Sequence, residues 1–378
     1  MGIIDRYVLQ LFLKVLAVCF VSFTGLFIIV DAFGNLEEFL EFGAKRGSLL
    51  LVVVEYYGAR TLSFFDRTSS LLAMISSMFV LTWMQRSNEL TAVMAAGVPK
   101  MRIVKPLLAA AVSVSLLAVV NRECFVPAVR ERLSHNMQDP EGAVAQQVYP
   151  RHDHRTNIFL NGGSTFFGEK RIAQPRFRLL EPLGEFGRHL NAANAYYREA
   201  AADREAGYLL TGVEQPENLS ELDSVQRRGR DAILSPKDTP WLKPNQCFVV
   251  SDVQFDLLTG GSAWKSYSSS LDLIRGLRNS SLDFGADVRV TLHARLVQPL
   301  LDVTLLLLGL PLVLRREDRN IFVAAGLGLA VVSVFFLVLI ACHAMGANYL
   351  LSPVLAAWAP LLIFAPVAYA VFRSMQHT

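Results

Sequence analysis

QRSNELTAVMAAGVPKMR, residues 85–102, stands between two long apolar runs and is itself neither apolar nor loop-like. Ser87 is placed to cap a helix that carries Glu89 in its first turn, where a negative charge meets the positive end of the helix dipole. Gly97 and Pro99 then stop it. Leu90, Val93, Met94 and Gly97 recur at three- and four-residue spacing, which gives the helix near 88–97 one apolar face about two and a half turns long. Periodicity leaves two readings open. The helix can lie on lipid with Arg86, Lys100 and Arg102 at the headgroups. It can also be a rigid lever docked on a partner, carrying displacement into the two flanking spans.

The runs on either side set the class. The chain has 378 residues, 52% hydrophobic and 18% charged, with a positive mean hydropathy, more apolar surface than a soluble core of this length needs. Six segments approach the roughly 20 apolar residues a bilayer requires: about 11–32, 62–84, 103–122, 292–314, 320–342 and 351–373. The first lacks a small-residue cleavage site and reads as a retained helix rather than a signal peptide. A net charge of +3 from dispersed basic residues offers no nucleic-acid surface. Cys19, Cys124, Cys247 and Cys342 have no metal or disulfide spacing and read as packing residues.

Orientation follows from lysine and arginine in short loops. With both termini cytoplasmic, the inside segments hold Arg6, Lys14, Arg86, Lys100, Arg102, Lys105, Arg315, Arg316, Arg319 and Arg373. The outside loops hold Lys45, Arg46 and Arg60, diluted by Glu37, Glu38, Glu41 and Glu55. The chain then divides into spans one to three (1–122), an external block (123–290) and spans four to six (291–378). No run in the external block could span a bilayer. NIFLNG, STFFGEK, AYYREAA, GYLLTGV and CFVVSDVQFDLL read as strands between turn clusters, so a jelly-roll-like all-β domain is expected. LDLIRGLRNSSLDFGADVRVTLHARLVQPL then returns as helix to the membrane.

RSNELTAVMAAGVPKMRIVKP resembles the signature of the LptF/LptG (YjgP/YjgQ) permeases of the lipopolysaccharide-export ABC transporter. IIDRYVLQLFLK, IIVDAF, YLLTGVE, LDLIRGLRNSS and RLVQPLLDV are similar to that family in order and spacing. The resemblance implies six transmembrane helices with a periplasmic jelly roll between the third and fourth, in a bacterial inner membrane. It implies a cytoplasmic ABC ATPase dimer, a second permease subunit (a paralogue or another copy), and a periplasmic jelly-roll bridge protein as partners. The cargo it implies is lipopolysaccharide or a related glycolipid. Glu89 matches the family's coupling acid, with Arg86, Leu90, Val93, Met94 and Gly97 framing the same helix. One departure stands out: the family carries a basic residue near the outer end of span one, where this chain has Ile28 before Val30 and Asp31.

Chemistry beyond transport finds little footing in the residues. GGSAWKS, residues 260–266, places Trp264 where a phosphate-binding loop needs glycine before its lysine, so hydrolysis of ATP falls to a partner. No cofactor is called for. His152 and His154 of RHDH share a strand face without a convincing third ligand, and no metal is expected. Nothing like GxSxG points to a hydrolase. A phosphorylated lipid needs cations near the outer interface, for which Lys45, Arg46, Arg60, Arg130 and Arg132 are candidates. Asp302 inside span four, and Asp66 with Arg67 at the start of span two, require partners or a watery cavity. Two rival functions remain at this level: a membrane-anchored periplasmic lipid-binding scaffold or sensor, and a proton-coupled transporter centred on Asp302.

Overall fold

The computed structural model describes residues 2–134, 142, 144–181, 186–201, 204–227, 229–279, 281–314 and 321–376. The side chains of Lys45 and Arg46 lie outside what is described, as do Arg315, Arg316 and Arg319. The chain opens with α1 (Ile3–Gly34), α2 (Leu36–Arg46), α3 (Leu49–Arg86), α4 (Glu89–Ala95) and α5 (Met101–Val120). A π-helical turn at Asn121–Phe125 leads into α6 (Val126–Ala128) and α7 (Arg130–Ser134). Strands β1 (Gln146–Gln147), β2 (Arg151–Asp153), β3 (Ile158–Leu160), β4 (Ser164–Phe166), β5 (Arg171–Ala173) and β6 (Arg176–Leu179) are short. The longer β7 (His189–Arg198) and β8 (Gly207–Gln215) precede β9 (Val225–Arg227), β10 (Arg230–Leu234) and β11 (Gln246–Val250). Helices α8 (Phe255–Tyr267), α9 (Ser270–Arg278), α10 (Ala286–Leu314), α11 (Ile321–Ala347) and α12 (Pro353–Gln376) complete the chain. It separates into two compact units, Met1–Val129 with Gly285–Thr378, and Arg130–Phe284.

In the helical unit, six helices among the described residues are long and apolar enough to cross a membrane. Helix α10 lies at the centre of the packing, against α3, α5, α11 and α12. Gly309 of α10 allows the close approach: a Cβ there would stand 2.7 Å from Met74 Cε of α3. Val8 and Phe12 of α1, Leu81 and Met84 of α3, Ile103 and Leu107 of α5, and Leu301 and Leu305 of α10 share one buried core. Apolar side chains on the opposite surfaces are exposed, among them Val18, Val21, Leu26 and Ile29 of α1 and Leu329, Leu337 and Ile340 of α11. Continuous apolar faces of this kind require lipid or another helix as solvent. The chain is an α-helical membrane protein.

Helix α3 differs from the sequence expectation. It begins at Leu49, not near residue 62, and its 38 residues make a rod about 57 Å long. Ser48 caps it by accepting from the Leu51 N–H at 3.4 Å, and Gly47, at φ +73°, ends α2 in the left-handed conformation. The early start has a tertiary cause. Phe39 of α2 stacks on Tyr57 at 5.7 Å and meets Tyr56 edge-on at 5.3 Å, so α2 braces the first turns of α3. Arg60, expected in a loop, is on the rod.

The β unit is all antiparallel, in the order β1-β4-β5-β7-β8-β11-β10-β9, with β6, β3 and β2 branching from β7. The β8-β11-β10-β9 arrangement is a Greek key, the connection on which jelly rolls are built. Alternate residues Ile158, Leu160, Phe177, Leu190, Tyr208, Leu210 and Phe248 fill its core. Buried Asp153 is satisfied by the Arg155 N–H at 2.9 Å and the Ser251 hydroxyl at 2.7 Å. Burial raises the Cys247 thiol above its ordinary range and pushes the Tyr197 phenol up to about 12. The QFDLL segment, expected to continue a strand, instead starts α8. Trp264 of that helix stacks on Phe284 at 4.8 Å, and GGSAWKS is helical rather than a loop.

Candidate functional site

The corner between α3 and α5 is built from tightly fixed backbone. Ser87 does not cap α4; its hydroxyl donates back to the Trp83 carbonyl at 3.0 Å and finishes α3. Asn88 turns the chain with φ +62°, in the left-handed region that asparagine tolerates. Helix α4 is therefore shorter than the expected 88–97, seven residues from Glu89 to Ala95. Its end is a Schellman motif. The Gly97 N–H donates to the Met94 carbonyl at 2.9 Å and the Val98 N–H to the Val93 carbonyl at 3.2 Å, with Gly97 at φ +77°.

The apolar face of α4 turns inward. Leu90 is buried in the same core as Met84, Ile103 and Val104, and Val93 and Met94 pack against it. That face thus meets the chain's own bundle and not the lipid surface that an interfacial helix would need. Arg86, Thr91, Ala92, Ala95, Ala96 and Gly97 are exposed, and Glu89 sits half-exposed at their edge.

Polar contacts tie this end of the bundle together. The Tyr7 hydroxyl of α1 donates to Glu89 Oε2 at 2.8 Å. Arg102 at the start of α5 pairs with Asp5 of α1 at 3.3 Å, and Asp5 also accepts from the Gly2 N–H at 2.8 Å. Gln85 donates to the Val313 carbonyl of α10 at 3.0 Å. Polar contacts thus link α4 to α1, α1 to α5 and α3 to α10 at this end of the bundle.

A second polar level lies deeper along the same helices. Arg122, in the π-helical turn, pairs with Asp66 of α3 at 3.1 Å, and its neighbour Asn121 donates to the Leu62 carbonyl at 2.8 Å. Asp66, Arg122 and, on α10, Arg295 are each about 30 Å along the helix axis from the α4 end, one hydrocarbon thickness away. Sequence reasoning singled out Asp66 with Arg67, but missed Arg122 and Arg295. Arg67 itself is exposed. Between the two levels, Asp302 accepts from the Ser115 hydroxyl at 2.6 Å and the Gln298 amide at 2.9 Å. It is held by neutral donors.

The candidate cations for a lipid phosphate are dispersed. The Arg60 guanidinium lies 3.5 Å over the Tyr56 ring. Close to it on the same helices, Tyr57 donates to Asp31 at 2.8 Å, so the acidic exit of span one is tied down. Arg130 belongs to the β unit, where it pairs with Asp256 at 2.9 Å beside a small cavity that Phe167 and Trp264 help to line. Arg132 is exposed on α7. His152 and His154 meet edge to face at 4.3 Å, with the His152 ring nitrogen 2.9 Å from the Asn157 amide oxygen. Among the described residues no three potential ligands gather into a metal site.

Among curated proteins, none matches the chain significantly. The model of the family described as "Lipopolysaccharide export system permease LptF/LptG" matches residues 6–374, across the helical unit and the inserted β unit alike, and the chain belongs to that family.

Proposed function

We propose that this chain is a permease subunit of an ABC transporter that extracts lipopolysaccharide, or a related glycolipid, from the inner membrane and passes it to the periplasm. Family membership makes it a multi-pass inner-membrane permease of lipopolysaccharide export. The finer reading adds the energy source and the direction. A separate cytoplasmic ATPase dimer burns the nucleotide, and this chain hydrolyses none itself. A second permease subunit, paralogue or copy, completes the cavity, and a periplasmic jelly-roll bridge receives the lipid from the β unit. Both termini and α4 face the cytoplasm, in keeping with the arginines and lysines of the short loops.

The observation that carries this reading is α4 itself. A seven-residue helix closed by left-handed residues at both ends, seated on the bundle by Leu90, is a stiff body that moves with the helices it touches. A loose loop would absorb displacement. Glu89 at its exposed edge supplies the charge to set register against a basic residue of the ATPase. Replacing Glu89 with Arg abolishes co-purification of the ATPase and lipid export while leaving the amount of folded permease unchanged. Association and export at wild-type levels in that variant would remove Glu89 from the coupling role.

A further inference from the structure

We propose that Tyr7 is a positioning residue that presents Glu89 to the ATPase, an inference that rests on the coupling role given to α4 above. The carboxylate of Glu89 is asymmetrically engaged. Oε2 accepts from the Tyr7 hydroxyl at 2.8 Å, and among the described residues the Glu89 carboxylate makes no other hydrogen bond. A carboxylate has roughly four lone-pair sites and here gives up one. Held from behind by α1, it keeps Oε1 available for a bidentate or single contact with an external guanidinium or ammonium group.

The physical gain is preorganisation. A surface glutamate samples several rotamers, and an incoming cation must select one of them at an entropic cost. The Tyr7 bond fixes that choice before docking. The tyrosine ring is rigid compared with a lysine or glutamine donor, and its α1 backbone is anchored two residues earlier by the Asp5–Arg102 pair and one residue later by the buried Val8. Tyr7 is 41% exposed, so loss of its hydroxyl leaves the fold intact.

The test is a double-mutant cycle on the full chain in lipid nanodiscs, reading the dissociation rate of the ATPase subunit from the same organism's lipopolysaccharide-export system. Tyr7→Phe speeds dissociation by roughly three- to tenfold, the worth of one hydrogen bond. Glu89→Ala speeds it further. In the Glu89→Ala background, adding Tyr7→Phe changes nothing, because the group that Tyr7 positions is gone. A purely structural role for Tyr7 would give the same increment in both backgrounds and would overturn the proposal, as would a wild-type rate in Tyr7→Phe alone. If Glu89→Ala itself dissociates at the wild-type rate, the coupling reading fails and this proposal goes with it. If Glu89→Ala is impaired and Tyr7→Phe is not, only the positioning role fails.

Discussion

Ser115 of α5 and Asp302 of α10, 187 residues apart in sequence, meet in a 2.6 Å hydrogen bond inside the helical unit. With Gln298 on the other carboxyl oxygen, the acid is satisfied without a cation. Asp302→Asn keeps an acceptor for Ser115, so lipid export continues within about twofold of wild type, and collapse of the proton gradient with ATP intact leaves it unaffected. Asp302→Leu strands the buried Ser115 hydroxyl and the half-buried Gln298 amide and lowers stability by roughly 1–3 kcal/mol. Thermal unfolding in detergent and a reconstituted export assay measure both. Export by Asp302→Asn that collapses to background would revive the proton-coupled alternative.

Arg122 and Asp66 make a second, ionic contact between spans. Arg122→Ala leaves Asp66 without its 3.1 Å partner and destabilises the helical unit by roughly 3 kcal/mol or more. Exchanging the two residues, Asp66→Arg with Arg122→Asp, recovers part of that loss. Unfolding midpoints for the single and exchanged variants decide it; an exchange no better than the worse single variant argues against pairing as the source of the stability.

Gly97 occupies backbone space that L side chains enter at a cost. At φ +77°, Gly97→Val strains the stop of α4 by about 1–2 kcal/mol or more, whereas Gly97→Asn is nearly neutral. The valine variant loosens the helix end, which shows as faster proteolysis near residue 97 and reduced export at normal expression. Equal proteolysis in the two variants would mean that the left-handed stop does not matter.

The β unit titrates in the alkaline range. The thiol of Cys247 is raised from its ordinary 9.0, so the folded chain holds this proton more tightly than the unfolded one. Its contribution is complete below pH 9 and fades as the pH climbs beyond it. Tyr197, at about 12 against an ordinary 10.0, adds the same trend between pH 10 and 12. Unfolding temperature therefore falls from pH 9 upward, and less steeply in Cys247→Ala. In the native state a maleimide spares buried Cys247 until denaturant is added.

What the sequence exposed and what it concealed have separate physical causes. The spans and the strands around NIFLNG, STFF and GYLLTGV were legible because apolar length and alternation are local properties. The early start of α3 was not, since Tyr56, Gly58 and Arg60 break the apolar run and only Phe39 from α2 explains why the helix persists. Periodicity correctly grouped Leu90, Val93 and Met94 on one face of α4, but could not say that the face meets Ile103 and Val104 instead of lipid. Arg122 escaped notice because its partner is 56 residues away and neither residue belongs to a motif. The assignment of Ser87 as a cap failed by one residue, because the hydroxyl found a nearer acceptor in the helix it closes.

The length of α3 restricts how the permease can work. The rod, about 57 Å long, exceeds a hydrocarbon layer about 30 Å thick, and its ionic collar at Asp66 stands about 30 Å along the axis from Arg86, as far as such a layer is deep. Sliding the rod inward by one turn would drag that collar about 5.4 Å into oil, which its charge resists. Rocking about the collar moves both tips and leaves the charge at its depth. If the proposed function holds, α3 would tilt like an oar in its rowlock rather than slide, with its pivot at the Asp66–Arg122 pair.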